Sequence, residues 1–239
     1  MTAEELRRQI NEGALDIRLS RLYGDTRTDA ARARYISILD DFITRYGSEH
    51  DVSLFSVPGR TELCGNHTDH NNGRVLAAAV NLDTVAAVSP RDDLQITLHS
   101  EGFAPIRVDL NNLSPVKEEQ GTPASIIRGI AARMQEMGCM VRGFDGTATS
   151  NVLSGSGLSS SAAFEVLICA IFDALYNGMK VDPIERAKIA QYAENVYFGK
   201  PCGLMDQMAS SVGGLVAIDF KAEPKVTPLQ YDFSARGYS

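Results

Sequence analysis

Long apolar stretches are missing from this 239-residue chain. Its longest apolar runs, Val75 to Val80 and Val166 to Phe172, fall far below the ~18 residues that cross a bilayer. Basic runs are missing as well: Lys plus Arg is 23 against 30 for Asp plus Glu, a net charge of −7, which argues against a nucleic-acid partner. Cysteine is sparse. Cys64, Cys139, Cys169 and Cys202 form neither a CxxC pair nor a zinc-ligand spacing, so free thiols in a reducing compartment are expected. The opening MTAEELRRQI is charged and lacks the apolar segment of a secretory leader. Internal repeats and low-complexity tracts are absent from the sequence. What is present is an ordinary globular balance, 44% hydrophobic and 22% charged. At about 150 residues per domain the length allows one large domain or two small ones. A core of that size needs no disulfide or structural metal. The expectation is a cytoplasmic globular protein.

Periodicity divides the chain into an α-β-α succession. Residues 1–28 are polar, broken at Gly13 and Gly24, and predict a short helix and a loop. Tyr35, Leu39, Phe42 and Tyr46 recur at helical spacing over 29–46, with Gly47 as the stop. Val- and Ile-rich runs at 53–57, 75–80, 84–89, 94–99 and 106–110 predict strands. Thr122-Pro123 opens a helix carrying Ile126, Ile127, Ile130, Met134 and Met137, closed by Gly138. A strand over 144–153 runs into a Gly/Ser loop and a helix over 160–176. Asp182-Pro183-Ile184-Glu185 is a capping box that opens a helix to about Val196. A short helix over 205–211 and a strand over 215–220 follow. Strands first and helices later predict an α+β layer fold.

Three clusters carry chemistry. Ser154-Gly155-Ser156-Gly157-Leu158-Ser159-Ser160-Ser161 lies between a predicted strand and a predicted helix. Its glycines free the backbone to turn N–H groups inward, and the following helix presents its positive end, which together make an anion cradle. The motif is neither a P-loop nor a dinucleotide fingerprint; the plainer reading is a flexible turn. Residues 58–70, PGRTELCGNHTDH, gather Arg60, Asn66, His67, Asp69 and His70 after a strand. Arginine suits phosphate, while Asn, His and Asp suit the directional donors and acceptors of a polyol. A polar surface turn is the bland alternative, and a metal site through His67, Asp69 and His70 matches no common ligand spacing. In the third cluster, GKPCGLMDQ at 199–207, Asp206 is either an N-terminal helix charge or a base beside a substrate hydroxyl. Glu194, near a helix C-terminus, is solvated or has a cation nearby; Lys200 is a candidate for it. With no His placed beside it, Cys202 reads as packing.

Taken together and in order, PGRTELCGNHTDHNNG, SGSGLSSSAA and GKPCGLMDQ resemble the signature, phosphate and catalytic segments of the galactokinase family of GHMP small-molecule kinases. The resemblance spans roughly Phe55 to Phe220. It implies a GHMP-kinase N-terminal domain over 1–239, with 1–28 as a leading polar segment. That domain is α+β and similar to the second domain of ribosomal protein S5, a mixed sheet with helices packed on one face. A C-terminal GHMP domain would be absent from the chain, and these 239 residues alone are expected to turn over weakly or not at all. The implied reaction transfers the ATP γ-phosphoryl group to the anomeric hydroxyl of galactose, with Mg²⁺. By resemblance Asp206 is the catalytic aspartate and Arg60 the arginine beside it. Gly155, Ser156, Gly157, Leu158, Ser159, Ser160 and Ser161 form the ATP loop. Ser161 and Glu194 hold Mg²⁺, and Asn66, His67, Thr68, Asp69 and Gly203 meet the sugar. The implied partners are a sugar and ATP, with no nucleic acid and no membrane. Alternatives within the resemblance are a kinase of another sugar or alcohol, or a non-catalytic sugar/ATP sensor; the intact Ser160-Ser161-Ala162-Ala163 favours the enzyme. The chain departs from the family pattern at Glu62, where Asn is usual, at Asn66, where Glu is usual, and at His70, where Tyr is usual. Leu153 replaces the usual Pro before the phosphate loop.

Overall fold

The computed structural model describes residues 1–231. Three helices come first: α1 (Ala3–Asn11), α2 (Asp16–Tyr23) and α3 (Thr28–Tyr46). The strands β1 (Ser53–Cys64), β2 (Arg74–Pro90), β3 (Gln95–Ser100) and β4 (Ile106–Asp109) follow. The second half runs α4 (Pro123–Glu136), β5 (Phe144–Ser150), α5 (Ser160–Tyr176), α6 (Pro183–Tyr192), α7 (Met205–Val212), β6 (Leu215–Asp219) and β7 (Lys225–Leu229). Between α6 and α7 the chain makes a π-helical turn over Ala193–Phe198.

The long strand β2 organises the sheet. Its predicted halves, 75–80 and 84–89, are one strand, because no glycine or proline separates them; Pro90 ends it. One edge of β2 pairs antiparallel with β1. The other edge pairs with β6 through 74–78 and with β5 through 84–90. The strand order is β4-β3-β5-β2-β6-β7, and only β3 and β5 run parallel among the paired strands described. Alternate residues of a strand face opposite sides, and β2 uses both sides. Ala86 and Val88 pack with Ile127, Ile130, Phe144, Leu167 and Phe172 of the largest core. Val85 and Ala87 pack with Ile10, Leu19, Leu39 and Phe42 of α1, α2 and α3. Near its start, Val75 and Ala77 join Met205, Met208, Val216 and Ile218 in a third core.

The mixed α+β sheet is as expected, but helices cover both of its faces. The residues read as a polar leader form α1 and α2, in which Ile10 and Leu19 are buried against α3 while Ile17 and Leu22 stay exposed. A buried carboxylate fixes this layer to the sheet. Asp83 of β2 accepts hydrogen bonds from Tyr23, Ser56 and Arg34, each at 2.5 Å. The short strand β7, with Pro228 within it, gave no period to read. Among the described residues no helix is long and apolar enough to cross a membrane.

Candidate active site

Three segments meet at the open ends of β1, β5 and α7. Residues 58–64, read from sequence as part of a loop, belong to β1, and only 65–73 form the connection to β2. Register slips between Pro58 and Arg60, and again between Glu62 and Cys64, mark irregularities in β1. Such bulges re-aim side chains, and Arg60 lies buried with its guanidinium on Asp206. Its Nε donates to Asp206 Oδ1 at 2.7 Å and its Nη2 to Oδ2 at 2.6 Å, the bidentate fork of an arginine–carboxylate pair. These residues are 146 positions apart. The arginine is 7% exposed and the carboxylate 29%, so one side of the pair is open to a ligand.

The Gly/Ser turn closes over the same arginine. Arg60 Nη1 donates to Gly157 O at 2.5 Å, and the Arg60 N–H donates to Leu158 O at 3.0 Å. Gly59 permits this approach: a Cβ there would lie 2.7 Å from Leu158 O. Gly155 (φ 79°), Gly157 (φ 77°) and Ser159 (φ 63°) adopt left-handed conformations that curl the segment. Ser159 stands at the N-cap of α5 without capping it; its hydroxyl donates instead to Asp206 Oδ2. The first turn of the 17-residue helix α5, with Ser160 and Ser161, therefore opens with no side-chain cap. Such an end accommodates an anion.

The loop after β1 is tied to the start of α7. Asp69 Oδ2 accepts the Met205 N–H at 2.9 Å, supplying from afar the cap that Leu204 does not provide. Gly203 makes room for it, since a Cβ there would lie 1.8 Å from Asp69 Oδ2. Thr68 Oγ1 donates to Gly65 O at 2.8 Å. Asn66 and His67 are exposed, with φ of 55° and 50°. The loop is stiffened from below by Glu62, which accepts the His67 N–H at 3.0 Å.

Behind Asp206 sits a buried carboxylate pair. Gln207 Nε2 donates at 2.9 Å both to Glu165 Oε2 and to Glu194 Oε2. Glu165 is 1% exposed and its Oε1 has no hydrogen-bond partner. Burial, and then the neighbouring Glu194, push the Glu165 carboxyl up to about 8. Of the two readings of Glu194, solvated or beside a cation, the structure has the second: Lys200 Nζ lies 3.3 Å from its Oε1. Cys202 is part of the same wall, and burial with the two glutamates raises its thiol, which opposes thiolate chemistry.

Arg60, Asp206, Gly157, Leu158 and Ser159 are thus brought together, as are Asp69 and Gly203. Ser161 is exposed in the first turn of α5, and among the described residues no hydrogen bond joins it to Glu194. The alternative metal site through His67, Asp69 and His70 does not form. The ring of His67 turns to Glu62, and among the described residues no three His, Cys, Asp or Glu side chains converge to hold an ion alone. Glu165 and Gln207 had no assigned part. The available signal was Glu165 itself, one charge in the apolar run AAFEVLICAIF and four residues after Ser161, hence on the same helix face.

Residues 40–90 match the galactokinase galactose-binding signature and residues 125–214 the GHMP kinases N terminal domain. A galactokinase of Bacillus subtilis (strain 168) is 34% identical over 174 residues, 72% of this chain and 44% of the relative. One of Streptomyces coelicolor is 39% identical over 168 residues, covering 70% and 42%. The crystal structure of Lactococcus lactis galactokinase complexed with galactose superposes with a TM-score of 0.73 at 27% identity, over 81% of this chain and 51% of that one. A Methanococcus jannaschii mevalonate kinase, 17% identical with a TM-score of 0.62 over 77% of this chain and 58% of that one, shares the fold. The chain spans about 44% of the length of the Bacillus relative. By these matches it carries the galactose-binding signature of the galactokinases and the N-terminal domain of the GHMP kinases.

Proposed function

We propose that the protein is an ATP-dependent sugar kinase, working in the cytoplasm, that transfers the γ-phosphoryl group to the anomeric hydroxyl of a galactose-type sugar. The observation that carries this reading is the bidentate Arg60–Asp206 pair, held between an uncapped glycine-rich helix start and a polar loop. Phosphoryl transfer asks for positioning and charge neutralisation more than for covalent chemistry. Gly155 to Ser161 cradle the ATP phosphates through backbone N–H groups and serine hydroxyls. Asn66, His67, Thr68, Asp69 and Gly203 orient the sugar. Asp206 accepts the proton of the anomeric hydroxyl, whose oxygen forms the new bond to the γ-phosphorus while the bond to the bridging oxygen breaks and ADP leaves. Arg60 holds the Asp206 carboxylate in line and offsets charge growing on the transferred group. Ser159, which donates to the same carboxylate, fixes its second oxygen.

The donor set fits Mg²⁺. Glu165, four residues after Ser161 on α5, is buried with one oxygen orphaned, and among the described residues no cationic side chain pairs with it. Mg²⁺ is commonly held by one or two carboxylates with substrate phosphates supplying the remainder. Ser161 and Glu194 would hold the ion, with Glu165 behind them, and it would neutralise phosphate charge.

The test is ADP release by the full-length protein with ATP and Mg²⁺, across galactose, arabinose, N-acetylgalactosamine and mevalonate. Sugar-dependent ADP release with a sugar 1-phosphate product supports the reading. Release with mevalonate alone, or none with any acceptor, overturns it.

A further inference from the structure

Gln207 is buried beside the two glutamates, and no step of the proposed transfer uses it. It follows Asp206 on α7, so its side chain leaves the helix about 100° away from that of the aspartate. An amide nitrogen carries two hydrogens, and this one faces two acids. Nε2 donates to Glu165 Oε2 on α5 and to Glu194 Oε2 on the π-helical turn, each at 2.9 Å. Cys202 Sγ lies 3.6 Å from the same nitrogen. The other end of the amide, Oε1, is buried without a partner. An orphaned carbonyl costs stability, and a side chain present only to fill the space would not need it, since methionine has nearly the same length and no strong acceptor.

The clamp pins one oxygen of each acid and leaves the other to a cation. Glu165 Oε1 has no partner, and Glu194 Oε1 faces the ammonium of Lys200, whose side chain is 64% exposed. Glu194 stands on a π-helical turn, a rare element that is concentrated at functional sites. Glu165 comes from a different helix, so the spacing of the two carboxylates is not fixed by either backbone alone. Mg²⁺ demands near-octahedral geometry, and the carboxylates that hold such ions depend on the donors behind them. Gln207 is a donor shared by both.

We propose that Gln207 is a positioning residue for the divalent cation: its amide holds Glu194, together with Glu165, at the spacing the ion requires, without touching ion or substrate. This rests on the assignment of Mg²⁺ to Ser161 and Glu194. The experiment uses Mn²⁺ as the probe, with the free ion followed by EPR as it binds the protein in the presence of a non-hydrolysable ATP analogue. Gln207→Met keeps the length of the side chain and removes both donors. The wild type is expected to take up Mn²⁺ saturably and the variant to bind it about 10–100-fold more weakly. In EDTA, the analogue alone should bind both proteins alike. A glutamine with a merely structural role would lower the variant's unfolding midpoint and leave its Mn²⁺ affinity unchanged, and that result overturns the proposal. The wild type supplies a second reading should the variant fail to fold. With ¹⁵N-labelled glutamine, Mg²⁺ added with the analogue should shift the assigned Nε2 resonance of Gln207, because the carboxylates it donates to gain a cation. A resonance that does not move while Mg²⁺ binds overturns the proposal and leaves the Mg²⁺ assignment in place. A wild type that binds the analogue but has no saturable Mn²⁺ site overturns that assignment and the proposal with it.

Discussion

Asp206 is gripped from three directions, by both nitrogens of the Arg60 fork and by the Ser159 hydroxyl. Those contacts set its position; only its basicity can move a proton. Asp206→Asn keeps the shape and removes the acceptor for a hydroxyl proton, so phosphorylation by the full-length protein should fall by about 10²-fold or more. ATP-analogue binding, measured by fluorescence titration, should persist because the turn over 154–159 and the first turn of α5 are untouched. A near-normal rate would remove Asp206 from the base role. Gly203 acts on the neighbouring carboxylate. In Gly203→Ala the new methyl group occupies the place of Asp69 Oδ2, so the bond to the Met205 N–H must break. We expect a loss of about 1–3 kcal/mol in stability by denaturant titration, with sugar binding weakened and nucleotide binding retained. Glu165 supplies a pH signature. Its carboxyl moves from 4.5 to about 8 in the fold because burial, then Glu194, disfavours its charge. The folded chain therefore keeps a proton that the unfolded chain releases, and this group's contribution to stability falls as pH rises from 4.5 to about 8, level on either side. Glu165→Gln cannot lose that proton. In the presence of EDTA its unfolding free energy should decline less over that window than the wild type's, and at pH 8 it should be the more stable of the two by about 1–3 kcal/mol. Parallel pH profiles for the two proteins would refute this.

At the scale of elements, the site is a junction of one strand and two helix starts. The turn before α5 touches β1 only because Gly59 has no side chain. Gly59→Ala would press on Leu158 O at 2.7 Å and on Val152 at 3.0 Å. The turn should lift off Arg60, at a cost of about 1–3 kcal/mol in stability. ATP-analogue affinity should drop by about tenfold, read by titration, while sugar binding changes less. An unchanged nucleotide affinity would mean that the turn does not need its seat on β1. The parts of this junction differed in how well they could be read from sequence. Gly155 and Gly157 announce an irregular turn, and Asp182 announces a helix start that the structure matches with a 2.8 Å bond to the Ile184 N–H. Those signals are local. The extension of β1 through Arg60 was hidden because Pro58 and Gly59 read as a strand end, whereas the chain accommodates them with a register slip. The Arg60–Asp206 pairing joins segments 146 residues apart, and only motif order linked them. Glu165 and Gln207 went unassigned because their partnership exists only across α5, α7 and the π-helical turn.

In the whole molecule, β2 is shared by every core. Its alternating side chains enter the layer under α1, α2 and α3 and the layer under α4 and α5, and its start enters the core of α6 and α7. Over 1–28 the sequence predicts one short helix where the structure has two, α1 and α2, for a related reason. Ile10 and Leu19 make sense only against α3, and the exposed Ile17 and Leu22 of α2 blur the period that would mark a buried face. Asp83 joins that N-terminal layer to β2 through Tyr23 and Arg34 and also accepts from Ser56 of β1, with the aspartate 3% exposed. In Asp83→Asn, the partly buried Arg34 loses its counter-charge, and breaking such a pair costs about 3–5 kcal/mol. For a chain of this size each kcal/mol lowers Tm by about 2–4 °C, so the drop should be about 6–20 °C. Because the strand that loses its anchor also carries the other cores, the helices and the nucleotide site should melt together. Circular dichroism and release of a bound ATP analogue should then follow one shifted transition. An early loss of helical signal with the nucleotide still bound would show instead that α1, α2 and α3 are a separable layer and that β2 does not couple them to the site.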